Sequence, residues 1–134
     1  MTKYLIDTHI LIWLAVSPTK ISKNIIKIIE NTDNKICVSS ISFWEIAIKI
    51  SVGKLSLQGL TIEDLVQFCI QQDIEIVQLP ISAVTFYSHL SIKENHRDPF
   101  DRALISLCIT DNYIFLSVDD KLHQYKNDGL IFIN

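Results

Sequence analysis

In the stretch HRDPFDRALI, residues 96–105, two aspartates stand three apart around a proline, at the head of an apolar helical pattern. Asp98 suits an N-cap and Pro99 suits the first helical position, where a missing N–H does no harm. Asp101 falls at the third position, where a negative charge meets the positive end of the helix. Capping accounts for Asp98 but not for Asp101. At about 100° per residue, Asp101 shares a stripe with Leu104, Ile105 and Cys108 that should face a core. A carboxylate held there is partly desolvated and calls for a cation.

What could bring a cation there depends on the elements around it. Short apolar runs with the look of buried strands occur at residues 4–6, 36–39, 74–79, 113–118 and 130–133. Longer amphipathic segments lie between them, at about 10–15, 22–31, 42–51, 61–72, 82–92 and 98–110. Apolar strands alternating with helices predict one α/β domain over residues 1–134, a three-layer sandwich around a central, mostly parallel five-stranded sheet. Strand C-termini and helix N-termini then meet along one edge, where open α/β folds bind ligands.

Acidic residues collect on that edge. Asp7 follows the first strand, Asp119 follows the fourth, Glu45 lies in the first turn of the helix after the second, and Asp101 opens the helix leading into the fourth. Each has a plain structural alternative. Asp7 could cap the segment after it, and Glu45 could close a capping box with Ser42 or pair with Lys49. Asp119 and Asp120 could belong to a solvated turn, the reading adopted for Asp120. Independent caps need not share an edge, however, and four packed carboxylates would raise each other's pKa. A divalent cation removes that conflict.

Oxygen ligands suit Mg²⁺ or Mn²⁺, and His9, His89, His96 and His123 show no zinc-type spacing. His9 and His96 read as local hydrogen-bonding groups. Cations held by clustered carboxylates suit phosphodiester cleavage, and attack by water would leave a 3′-hydroxyl and a 5′-phosphate. The formal charge of −3 opposes a nucleic-acid substrate. Setting aside the four proposed ligands leaves +1 for the remainder, and Lys49, Lys54, Lys93, Arg97 and Arg102 lie near the site elements, where they could hold phosphates.

Composition bounds the rest. The chain is 49% hydrophobic and 20% charged, yet its longest apolar run, YLIDTHILIWLAV, carries Asp7 and His9 and is too short to span a bilayer. No secretory signal pattern opens the chain, and three scattered cysteines, Cys37, Cys69 and Cys108, read as buried thiols. A cytoplasmic protein is expected.

Four blocks, YLIDTHILIWLA, SSISFWEIAIKISVGKL, HRDPFDRALI and FLSVDDKLHQY, together resemble a PIN-domain protein, in particular the VapC-like toxins of toxin–antitoxin pairs. The likeness covers essentially the whole chain, in order. It implies a Mg²⁺- or Mn²⁺-dependent endoribonuclease acting on RNA, commonly a homodimer, held inactive by a cognate antitoxin. It places Asp7, Glu45, Asp101 and Asp119 on the family's acidic metal site, with Asp98, Thr8 and Arg102 at accompanying positions. One block departs from the pattern. Where T-R-D is usual, this chain has Ser117, Val118 and Asp119, so a basic substrate contact has no counterpart.

Other classes fit less well. A phosphoacceptor receiver needs an Asp after the third strand, which here ends QLP, and a dinucleotide binder needs a glycine-rich first turn. The stronger rival is a non-catalytic binding module of the same fold whose acids are structural.

Overall fold

The computed structural model describes residues 1–134. Five strands, β1 (Lys3–Ile6), β2 (Lys35–Ser39), β3 (Glu75–Val77), β4 (Ile114–Leu116) and β5 (Ile131–Ile133), form one sheet in the order β3-β2-β1-β4-β5. Every pairing is parallel. The chain winds outward from β1 in one direction through β2 and β3, then crosses to the other side for β4 and β5. The order therefore reverses between β1 and β4, and the crevice beyond their C-terminal ends is where this class of sheet binds ligands.

Six α-helices cover the sheet: α1 (Thr8–Val16), α2 (Lys23–Glu30), α3 (Ser40–Ser51), α4 (Ile62–Gln71), α5 (Ile81–Tyr87) and α6 (Pro99–Asp111). The two-residue period of the strands sends alternate side chains to opposite faces. Leu5, Cys37 and Phe115 join Leu104, Ile105 and Cys108 of α6 in one core. Ile6, Val38 and Leu116 join Ile10 and Leu11 of α1 and Leu65 and Cys69 of α4 in the other. The three thiols are free and buried, and burial pushes Cys37 and Cys69 up to about 11. No helix is long and apolar enough to cross a membrane.

Several boundaries differ from the sequence expectation for identifiable reasons. The helix expected at 10–15 begins at Thr8, because the Asp7 side chain caps it by accepting from the Ile10 N–H. The helix expected at 42–51 begins at Ser40 under a Ser39 cap. Glu45 therefore sits in the second turn, and no capping box joins it to Ser42. The helix expected to reach 92 stops at Tyr87. The carbonyls of Leu90 and Ser91 beyond it turn to accept from the Arg102 guanidinium. A 3₁₀ segment, Leu122–Asp128, was not anticipated, and it buries Leu122 and Tyr125 beneath the site.

Candidate active site

Asp7 closes β1 at the switch point, with only 5% of its surface exposed. One oxygen caps α1. The other accepts from the Ser117 hydroxyl at 2.6 Å and the Val118 N–H at 3.1 Å. Burial pushes its pKa up, while these bonds oppose the rise. Ser117 also accepts from the Asp119 N–H at 3.0 Å, so its hydroxyl joins the Asp7 carboxylate to the turn that presents Asp119. The block that departs from T-R-D thus lacks the basic residue and keeps a bridging hydroxyl.

Glu45 is 4% exposed on α3. Its Oε1 lies 2.8 Å from the Thr8 hydroxyl and its Oε2 lies 2.9 Å from Lys49 Nζ. A carboxylate can only accept, so Thr8 donates to Glu45. Thr8 then accepts from the Ser42 hydroxyl at 2.9 Å. The hydrogen bond from Lys49 to Glu45 pushes the Lys49 pKa up.

Asp98 and Asp101 separate as their helix positions imply. The exposed Asp98 accepts from the N–H groups of Phe100 and Asp101 at 2.8 and 3.1 Å, which makes it the N-cap of α6. Asp101, half-buried, is raised to about 7, first by burial and then by the charges of Asp98, Glu45, Asp119 and Asp7. Burial and four carboxylates all disfavour its charge, and the Lys49 ammonium offsets them only in part. Losing the cap should cost about 0.5–2 kcal/mol, so Asp98→Ala is expected to lower the urea midpoint of unfolding while leaving cation binding largely in place. Loss of binding at unchanged stability would reverse the assignment of the two aspartates.

A cavity of about 350 Å³ opens over these groups, lined by Asp7, Asp98, Asp101, Asp119 and His96, with Arg97 and Lys121 on its wall. Glu45 lies outside the lining but within electrostatic reach of Asp101. Ligand atoms of His96, Asp101 and Asp119 all fall within 4.8 Å of one another. That spread is close to the roughly 4.2 Å separating opposite ligands on a Mg²⁺ ion. A donor set rich in carboxylate oxygen, with one member whose charge is disfavoured by burial and by its neighbours, fits a hard divalent cation. Beside it a hollow of about 310 Å³ is lined by Thr8, His9, Trp13, Lys49 and Lys54.

Two basic residues are not free for phosphate. Arg102 is only 2% exposed, and its guanidinium donates to Leu90 O, Ser91 O and the Tyr125 hydroxyl. The sequence expectation of a substrate contact at Arg102 is corrected accordingly, since the side chain points beneath the site. Lys93 pairs with Asp128 at 2.8 Å. Sequence reasoning assigned no place in the site to Ser117, Tyr125 or Lys121. It also missed the contact between His96 and Asp119 Oδ2, 2.5 Å across 23 residues of sequence. The only local signal was that Ser117 and His96 each adjoin an acidic motif.

No curated protein matches the chain in sequence. Solved structures do match in fold. A chain of VapBC2 from Rickettsia felis, bound to a promoter DNA fragment, superposes with a TM-score of 0.70 at 21% identity, covering 99% of this chain and 98% of that one. A chain of DNA-bound VapBC from Salmonella typhimurium gives 0.66 at 19% identity over the same shares. One of VapBC-1 from nontypeable Haemophilus influenzae gives 0.68 at 16%, again over the same shares. The family model of the PIN domain matches residues 4–128. With the β1–β4 switch point and the acidic cavity above it, that match makes this chain a member of the PIN-domain family.

Proposed function

We propose that the protein is a divalent-cation-dependent endoribonuclease and the toxin of a toxin–antitoxin pair. The observation that carries the reading is Asp101, a half-buried carboxylate raised to about 7 by desolvation and by four neighbouring carboxylates. A cation in the cavity would relieve that penalty. Asp7, Asp101 and Asp119 would hold Mg²⁺ or Mn²⁺, and Glu45 would hold it or orient the attacking water. Such a cation makes a water more acidic and neutralises charge on the phosphate. Thr8 keeps the Glu45 carboxylate aimed, while Lys49, fixed to the other oxygen, stands with Lys54, Arg97 and Lys121 where an RNA backbone would pass.

Likeness in fold to chains of VapBC complexes supports a toxin restrained by a partner antitoxin protein, and the reading takes the chain as a cytoplasmic homodimer. An arginine of that partner would meet the charged carboxylates in bidentate pairs and compete with the cation. A non-catalytic module is favoured by one observation, that Asp7 and Asp98 do serve as helix caps. Expression separates the two readings. The chain alone should arrest growth and leave RNA fragments with 5′-phosphate ends. Co-expression of its chromosomal neighbour should relieve the arrest, and Asp101→Asn should cause none. Soluble, folded protein that neither arrests growth nor cuts RNA would favour the non-catalytic module.

A further inference from the structure

Beneath Asp119 runs a buried chain of hydrogen bonds whose direction is set by its two ends. Arg102 carries donors only, so its Nη1, 3.1 Å from the Tyr125 oxygen, must donate to it. Burial pushes the Tyr125 pKa up against the opposing effect of Arg102, so the phenol keeps its proton. At the other end the Asp119 carboxylate can only accept, so His96 Nε2 donates to its Oδ2, and Nδ1 of the neutral ring is left to accept the Tyr125 proton, 2.7 Å away. The other Asp119 oxygen accepts from the Lys121 N–H at 2.9 Å.

We propose that His96 is a positioning residue: the Arg102–Tyr125–His96 relay fixes the imidazole as its Nε2–H tautomer and thereby holds the Asp119 carboxylate facing the acidic cavity. The inference rests on the cation-site reading and extends it to residues that reading leaves idle. Asp119 lies on a turn three residues beyond β4, where no helix or strand holds its side chain. Two donors from opposite sides, one from the turn itself and one from His96, leave each oxygen a lone pair for a cation. The relay also accounts for the burial of Arg102 without a carboxylate partner. Two backbone carbonyls and one hydroxyl accept from its two terminal nitrogens while Nε is left without a partner, and its charge polarises the Tyr125 hydroxyl toward His96. Donors that orient ligands in this way are worth roughly 10–100-fold in metal affinity.

The test uses the full chain with Mn²⁺ as probe, and ¹⁵N resonances of the His96 ring in the metal-free protein at pH 8.5. The parent should show the Nε2–H tautomer, and Tyr125→Phe should shift it toward a mixture. His96→Leu should weaken Mn²⁺ binding about 10–100-fold and lower kcat on RNA with little change in KM. His96→Gln places an N–H near the same point and should recover most of the lost affinity. An Nδ1–H tautomer in the parent overturns the proposal. So does unchanged Mn²⁺ affinity in folded His96→Leu. A His96→Gln protein as weak as His96→Leu would mean that the ring itself ligates or merely packs, which overturns it as well. If the parent shows the expected tautomer yet binds no Mn²⁺, the cation-site reading has failed, and the positioning role falls with it.

Discussion

Asp101→Asn should lower RNA cleavage by roughly 10³-fold or more, on the basis that losing the ligand removes about 4 kcal/mol of transition-state stabilisation. The same substitution should make the metal-free protein more stable at pH 8. The folded-state pKa of Asp101 is about 7 against an ordinary value of 3.8. Between those values the folded protein holds a proton that the unfolded chain releases, so stability falls as pH rises from about 4 to about 7. Above pH 7 the full penalty is present. After allowance for partial exposure it amounts to roughly 1–3 kcal/mol. Asn carries no charge, so the gain from Asp101→Asn should be full at pH 8 and should vanish near pH 4. Chemical unfolding of parent and variant at both pH values measures it. An inactive variant with no gain at pH 8 would mean that the carboxylate is not under repulsion, while an active one would remove Asp101 from the site.

Mn²⁺ should raise the melting temperature, and more at pH 8 than at pH 6. At a free concentration one hundred times Kd, binding stabilises the folded state by about 2.7 kcal/mol. For a chain of this length that amounts to roughly 8–10 °C. The proton on Asp101 must leave before a cation can take its place. One unit below a pKa of about 7, only about a tenth of the carboxylate is ionised, so affinity at pH 6 is about tenfold weaker and the shift is about half as large. Raised by burial, Asp7 pushes in the same direction. The shift should disappear in Asp101→Asn. Identical melting curves with and without millimolar Mn²⁺ at pH 8 would argue strongly against a cation site.

The alternation of strands and helices is legible in the chain because both signals are local. Hydrophobic period distinguishes β1 from α1, and a side chain caps a helix only a few residues away. Asp98 and Asp101 could be told apart on that basis, and the core stripe of Leu104, Ile105 and Cys108 followed from helical spacing. Boundaries moved where distant groups intervened. The segment after Tyr87 leaves the helix because Arg102, on another helix, takes the carbonyls of Leu90 and Ser91. The same event hides Arg102 from substrate. No pattern within a window of residues carries that information, since a buried Arg and an exposed one have the same neighbours in sequence.

The strand order β3-β2-β1-β4-β5 is likewise absent from local pattern, and it is what brings Asp7 within 2.6 Å of Ser117 across 110 residues. By itself the sequence determined which residues are acidic, which elements carry them, and that strand ends and helix starts share an edge. Only the tertiary structure decided which donors each carboxylate meets: three for Asp7, Thr8 and Lys49 for Glu45, His96 and the Lys121 N–H for Asp119, and none for the Asp101 carboxylate. The physical reason is range. Propensity and capping act over a few residues, whereas desolvation and charge repulsion depend on which parts of the chain the sheet has folded together.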